Sequence, residues 1–308
     1  MIISASYRTD IPAFYAEWFF ARLQAGRVLV RNPYSGQAIT VDLRPASVTG
    51  FVFWTRNFGP VLRRLPDLLG FGRPFTVQFT VTGYPRALEA AVIDPLQAVA
   101  QIRRLSAEVH PLCPVWRYDP IVFSSATPPD FHLANFERLA AQLEGATDEV
   151  VVSFAQIYRK TRRNLDAAAR LHGLEWYDPP DEAKLRLVSQ LAAIARSRGI
   201  GLTVCTQPQY LAPGAVEARC IDSRRLSRIT GAPLQVPLKG NRPGCACHES
   251  RDIGEYDTCP HGCAYCYAVR HRRLALARYR AHRPEDESLL PLAPAGPASP
   301  LPLFPAAR

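Results

Sequence analysis

Short runs of β-branched and aromatic residues alternate with longer amphipathic segments along the first two thirds of the chain. Strand-like apolar runs occur at Ile2–Ser6, Phe51–Trp54, Phe75–Val81, Val115–Val122, Val150–Ile157 and Leu202–Thr206. Between them, apolar positions three and four residues apart predict helices near Pro12–Leu23, Pro60–Leu69, Pro95–Val109, Phe131–Leu143, Thr161–Leu171 and Asp181–Ser197. Asp10 ahead of Pro12 suits the start of the first helix, because aspartate accepts from free amides and proline brings none. Six β-α units in a row imply parallel strands with right-handed crossovers. A closed eight-fold barrel takes about 250 residues, whereas the six units here are complete by Thr206. The expected fold class is therefore α/β, a six-unit (β/α) partial barrel of TIM-barrel-like construction. A doubly wound open sheet has the same periodicity and stands as the alternative.

Polar residues gather where these strands end. Ser4, Ser6, Arg8 and Asp10 follow the first, and Trp54, Arg56 and Asn57 the second. Gln78 and Thr80 lie in the third, Trp116-Arg117-Tyr118-Asp119-Pro120 in the fourth. Ser153, Gln156, Tyr158 and Lys160 close the fifth, and Cys205-Thr206-Gln207 the sixth. Parallel α/β folds carry their active sites at these carboxyl ends. A charge inside an apolar strand is costly unless it is paired or functional, which singles out Arg117 and Asp119. A salt bridge at the rim is the purely structural explanation. Arg8, Asp10, Arg56, Asn57, Arg117 and Asp119 are the candidate catalytic residues, with Ser4 and Ser6 as candidate cofactor contacts.

Beyond residue 206 the pattern changes. Gln207–Ser250 reads as irregular, a cysteine-rich loop follows, and a basic segment, Ala264–Arg283, is predicted as a helix carrying Arg270, Arg272, Arg273, Arg278 and Arg280. The last two dozen residues are rich in Pro, Ala and Leu and read as a flexible tail. The expected organisation is a barrel over 1–206, a cysteine-rich metal- or cluster-binding extension over 207–283, and the tail over 284–308.

The chain has 308 residues and is 47% hydrophobic, enough for a sizeable core. No run approaches the ~20 apolar residues of a membrane span, and Met1-Ile-Ile-Ser-Ala-Ser has no charged signal-peptide region. The protein is expected to be cytoplasmic, with no membrane partner. In a reducing compartment clustered cysteines point to metal or redox chemistry rather than disulfides. The net charge of +10 would attract polyanions, nucleic acid among them. An arginine- and alanine-rich codon bias produces the same excess, so charge alone selects no partner.

Five of the eight cysteines fall between residues 245 and 266: Cys245-Ala-Cys247, then Cys259-Pro-His-Gly-Cys263-Ala-Tyr-Cys266-Tyr267. The second stretch is a C-x3-C-x2-C spacing on a Gly/Pro-containing loop, which lets three thiolates converge on one inorganic centre. Zinc there would take a fourth ligand from Cys245, Cys247, His248 or His261, whereas a [4Fe–4S] cluster would keep one iron open. Cys205 and Cys220 join Cys245 and Cys247 as a full set for a second cluster or a zinc ion. Cys113, beside Pro114, reads as a core residue.

The C-x3-C-x2-C spacing, with Tyr265 and Tyr267 on either side of Cys266, resembles that of the radical SAM enzymes. In that superfamily the open iron chelates S-adenosylmethionine, and the usual core is a six-unit partial barrel. The motif normally follows the first strand; here it follows the sixth. The whole chain also resembles a bacterial domain family of unknown function. The likeness rests on Ser4-Ala-Ser6-Tyr-Arg8-Thr9-Asp10-Ile-Pro12, Val30-Arg31-Asn32-Pro33, Phe53-Trp54-Thr55-Arg56-Asn57, Trp116–Pro120 and Asp252–Tyr267. Tyr7 and Phe58 depart from that family's pattern, where arginine and proline are expected.

These readings converge on a radical SAM-like iron–sulfur enzyme. A [4Fe–4S] cluster on Cys259, Cys263 and Cys266 would act with S-adenosylmethionine and an electron donor on an unidentified substrate, with Tyr265 and Tyr267 beside the cofactor. Two alternatives remain: a fully ligated electron-transfer protein, and a zinc-stabilised nucleic-acid-binding protein using the basic helix and Tyr265/Tyr267 as stacking platforms. Asp252 and Asp257 are expected to turn the backbone around the loop, Gly254 and Gly262 to give it freedom, and His261 to donate a supporting hydrogen bond.

Overall fold

The computed structural model describes residues 1–32 and 35–291. Pro33 and the tail from residue 292 onward lie outside the described residues. Eight strands form one parallel sheet: β1 (Ile2–Ala5), β2 (Gly50–Thr55), β3 (Phe75–Thr80), β4 (Pro114–Ile121), β5 (Glu149–Phe154), β6 (Gly201–Val204), β7 (Ala215–Glu217) and β8 (Ser250–Asp252). Their order across the sheet is β7-β6-β5-β4-β3-β2-β1-β8, with each neighbouring pair parallel. From β1 to β7 each new strand is added at the same edge, and β8 returns to the other side of β1. A doubly wound sheet reverses direction near its middle; here the direction is constant from β1 to β7, and only the three-residue β8 lies beyond β1.

The expected six strands are all present, within a few residues of their predicted bounds. The sheet is larger because two three-residue strands, β7 and β8, arise in the stretch expected to be irregular. Pairing along exposed edges of β6 and β1 creates them, not intrinsic propensity. Ten α-helices occur among the described residues. Two expected single helices are each divided, into Ile11–Phe14 and Ala16–Ala25, and into Gly59–Leu62 and Leu65–Gly70. The basic helix is confined to Arg272–Ala281, because Ala264–Arg270 belongs to the cysteine loop.

Alternation along the strands separates two cores. On one face Phe51, Phe53, Phe75, Phe79, Trp116, Tyr118, Val150 and Val152 pack with helix residues such as Trp18, Phe19, Ile102, Phe136, Leu139 and Leu191. The opposite face presents Ile2, Val52, Val115 and Val151 to Cys205, Cys220, Ile221, Leu226 and Cys247. The stretch after β6 therefore covers the second face. At the amino end of the sheet, Arg225 of helix Ser223–Thr230 donates to the Leu112 carbonyl and pairs with Asp148 and Glu149. Cys113 is buried in the helix-side core, as its place beside Pro114 suggests.

Candidate functional site

The cysteine loop lies across the carboxyl ends of the first three strands, held by bonds from residues far away in sequence. Glu89, after β3, forms an antiparallel bridge with Cys263, and the Ala264 amide donates to the Leu88 carbonyl. The Ala91 amide donates to the His261 carbonyl at 2.9 Å, and Tyr15 Oη donates to the Thr258 carbonyl at 2.7 Å. Gly262 adopts a left-handed φ of 75°, a conformation glycine takes without steric cost. At Gly254 a Cβ would stand 2.0 Å from Ser6 Oγ, so only glycine permits this approach to the end of β1.

Asp10 organises the loop from below. Its Oδ1 accepts from the Ala13 amide at 2.9 Å and from Thr55 Oγ1 at 2.7 Å. Its Oδ2 accepts from the Arg56 amide and faces His261 Nε2, each at 2.8 Å. Both oxygens are consumed, so the structure gives Asp10 a positioning role rather than an open carboxylate. His261 is the supporting hydrogen-bond partner the sequence suggested.

Arg56 is buried beside Cys263. It bonds Glu89 Oε1 at 2.7 Å and Thr82 Oγ1 at 3.2 Å, and a short bond joins it to Tyr265 Oη, which also meets Glu89. A guanidinium can stay buried only when paired in this way. Tyr265 is 6% exposed, which removes it as a stacking platform and makes it part of the Arg56–Glu89 network. Tyr267 is 45% exposed and its hydroxyl donates to the Tyr7 carbonyl. Asn57 turns away from this mouth. Its Oδ1 accepts from the Gly59 amide at 3.0 Å and Gln101 Nε2 at 2.9 Å, which places it in the helix layer.

The three thiols of the loop are partly buried. Burial, with the charges of Asp10, Cys266 and Cys263, raises Cys259 well above the usual thiol range. Burial pushes Cys263 up to about 12 against the pull of Arg56, and burial also raises Cys266. The Ala268 amide nevertheless points at Cys266 Sγ at 3.3 Å. Amide donors aimed at sulfur favour the thiolate that burial opposes, and a bound cation resolves that conflict. Three thiols on one loop are the donor type that a soft metal centre takes. Among the described residues, no group of three or more His, Cys, Asp or Glu side chains stands assembled so as to hold a metal ion.

Ser4 and Ser6 are buried at the β1–β8 junction, where each hydroxyl donates to Asp252, at 2.8 and 2.7 Å. The Tyr7 and Gly254 amides also donate to that carboxylate. Both serines and Asp252 therefore fasten the strand ends and are not open to a cofactor. Arg8 Nε stands 3.6 Å from Asp252, and the Arg8 guanidinium lies 5.5 Å from the centre of the Tyr256 ring. Lys160 Nζ reaches the same ring at 5.5 Å. Asp257, with φ of 61°, turns the backbone ahead of Cys259 and pairs with Arg270 at 2.7 Å. Arg272 donates to the Pro260 carbonyl and Arg278 to that of Tyr256. Three of the five arginines of the basic segment thus buttress the loop.

Arg117 and Asp119 belong to the other thiol group. The register between β4 and β5 shifts between Tyr118 and Ile121, a bulge that re-aims side chains. Arg117 pairs with Asp119 at 2.5 Å, bonds Gln78 Oε1 at 2.9 Å and Cys220 Sγ at 3.0 Å, and lies over Trp54. Ser153 Oγ meets Asp119. Cys205 Sγ and Cys220 Sγ are 3.6 Å apart. Cys247 lies in the same apolar cluster, with Cys245 packed against it. The six candidate catalytic residues are therefore split: Arg56 and Asp10 at the loop, Arg117 and Asp119 at the second thiol group, Arg8 at the β1–β8 end, Asn57 behind the sheet. Glu89 and Thr82 escaped sequence reasoning, since no motif surrounds them.

No helix among the described residues is long and apolar enough to cross a membrane. None of the curated proteins compared matches the chain. A family model described as Domain of unknown function (DUF1848) matches residues 2–268, and the chain belongs to that family.

Proposed function

We propose that this member of the family is a radical SAM-like iron–sulfur enzyme, in which Cys259, Cys263 and Cys266 hold a [4Fe–4S] cluster at the mouth of a six-unit partial barrel. The observation that carries the reading is the position of the loop: delivered by β8, which pairs with β1, it lies over the ends of β1, β2 and β3, beside Asp10, Arg56 and Glu89. A four-iron cube spreads its thiolates over separate corners, so the reading does not require three sulfurs around one point. The ascending strand order supports barrel-type winding, with the cysteine-rich stretch as its metal-binding extension.

When bound, such a cluster would supply one electron to the sulfonium of S-adenosylmethionine, whose C5′–S bond would break to give methionine and the 5′-deoxyadenosyl radical that takes a hydrogen atom from substrate. The chain's own residues have distinct tasks. Arg56 stands beside Cys263 and Lys160 near Cys266, and both offset thiolate charge. Asp10 holds His261 and the Arg56 backbone, and so fixes the loop over the sheet. Arg8 and Lys160, gathered around Tyr256, offer cations to a carboxylate or phosphate at the mouth. The enzyme would need an electron donor and a reducing, cytoplasmic setting.

The test is iron and sulfide content of protein purified without oxygen, with electron paramagnetic resonance of the reduced protein before and after adding S-adenosylmethionine. About four irons and four sulfides at this loop, with a spectrum that changes on addition, is the expected result. An iron-containing protein with an unchanged spectrum would favour a fully ligated electron-transfer centre. Iron-free protein would sink the enzyme reading.

A further inference from the structure

We propose that Cys205, Cys220, Cys245 and Cys247 form a tetrahedral zinc site, separate from the cysteine loop, that locks the stretch after β6 onto the second face of the sheet. The proposal goes beyond the enzyme reading and does not depend on it. Four sulfurs bound about 2.3 Å from one zinc ion stand about 3.8 Å apart. Cys205 and Cys220 are already 3.6 Å apart, and Cys247, which accepts from the amide next to Cys220, shares their apolar cluster with Cys245 packed against it. The corners of a four-iron cube would hold such ligands farther from one another, so contact favours a single ion over a second cluster. As the side chains stand, no three of them are assembled around a common point among the described residues; binding an ion would require the thiols to turn toward one another.

The surroundings match the charge of the site. Four thiolates on Zn²⁺ leave a net charge of −2 in an apolar core, which is costly without nearby cations. Arg117 Nη1 lies 3.0 Å from Cys220 Sγ, and Arg242 Nη2 lies 3.9 Å from Cys205 Sγ. The Ile221 amide points at Cys247 Sγ at 3.3 Å, the kind of bond that steadies a metal-bound sulfur. The backbone is shaped to bring the last pair in. Leu238 bridges His248, the Lys239 amide donates to the Cys247 carbonyl, and a Cβ at Gly240 would stand 2.2 Å from the Cys245 carbonyl oxygen. The thiols come from the end of β6, the loop after β7 and this turn, so one ion would tie together three successive segments of the stretch that covers the second face.

The experiment is zinc analysis of the full chain, purified without chelators, for the wild type, Cys263→Ala and Cys220→Ser, with zinc-edge X-ray absorption on the wild type. About one zinc per chain with four sulfur ligands at about 2.3 Å is expected, retained in Cys263→Ala and lost in Cys220→Ser. If Cys220→Ser fails to fold, the wild-type absorption spectrum and Cys263→Ala still decide. Zinc lost with Cys263→Ala would move the ion to the loop and overturn the proposal. So would about eight irons and no zinc, or a Cys205–Cys220 disulfide by mass spectrometry in metal-free protein. Iron-free wild type, with zinc retained in both the wild type and Cys263→Ala, would sink the enzyme reading and leave this one standing.

Discussion

Two groups of cysteines stand on the same sheet, and they are built differently. In the loop at the mouth, Cys259, Cys263 and Cys266 act on one another through charge. On the second face, two thiols touch, Cys205 and Cys220 at 3.6 Å, with Cys247 and Cys245 in the same cluster. Their supports differ as well. The loop rests on long-range bonds from Asp10, Glu89 and Tyr15 at strand ends, where a substrate could reach it. The other set is closed in by Ile2, Val52, Val115, Val151 and Leu226. Spacing along the chain reveals which cysteines are close, but separation between sulfurs distinguishes a spread cluster from a single ion. One group is accordingly suited to chemistry and the other to holding the chain together.

The largest expected effect breaks one group and spares the other. Cys263→Ala should remove the iron and sulfide bound by the loop, along with any S-adenosylmethionine-dependent change in the resonance spectrum. The second group should be untouched, because Cys263 makes its contacts with Glu89 and Arg56 rather than with Cys205 or Cys220. Unchanged iron and sulfide in this variant would show that the loop is not the ligand set.

Next come the buried ion pairs that accompany each group. The side chains of Arg56 and Glu89 are 10% and 3% exposed, those of Arg117 and Asp119 6% and 15%. Glu89→Gln leaves the Arg56 charge uncompensated, a loss of about 3–5 kcal/mol when a buried pair is broken. Asp119→Asn should cost less, about 1–3 kcal/mol, since Arg117 retains Gln78 and the face of Trp54. Thermal unfolding of the as-isolated proteins compares them. If Asp119→Asn proves the more damaging, the second face is the more tightly coupled electrostatic site, contrary to the geometry.

Much of this architecture is legible in sequence. The first six strands announce themselves as apolar β-branched runs, and helix Asp181–Ser197 falls where its period places it. Strands Ala215–Glu217 and Ser250–Asp252 are not legible, because three residues carry no usable period and only edge pairing makes them strands. The hairpin Arg27–Arg31 with Ala38–Asp42 alternates Val28 and Val30 against Ile39 and Val41, a pattern that could have revealed it. The polar strand ends were found as types, yet their directions were not. Asn57 faces the helices, and Ser4 and Ser6 are tied to Asp252, which lies 248 and 246 positions further along the chain. Glu89 lies in an alanine-rich segment with no motif and gains its role only through contact with Cys263.

The smallest effects concern the two tyrosines flanking Cys266, which differ in environment as the thiol groups do. Tyr265 is buried, and its hydroxyl lies between Arg56 and Glu89. Phenylalanine there leaves a buried polar pair short of a partner and should cost about 1–3 kcal/mol. Tyr267 is exposed at 45% and gives up one bond, to the Tyr7 carbonyl, which water can replace. Tyr267→Phe should therefore cost no more than about 0.5–1.5 kcal/mol, with iron content unchanged. Thermal midpoints and iron analysis on both variants test the contrast. Loss of iron in Tyr267→Phe would mean that its hydroxyl, and not the Arg56–Glu89 network beneath Tyr265, governs how the loop is held over the sheet.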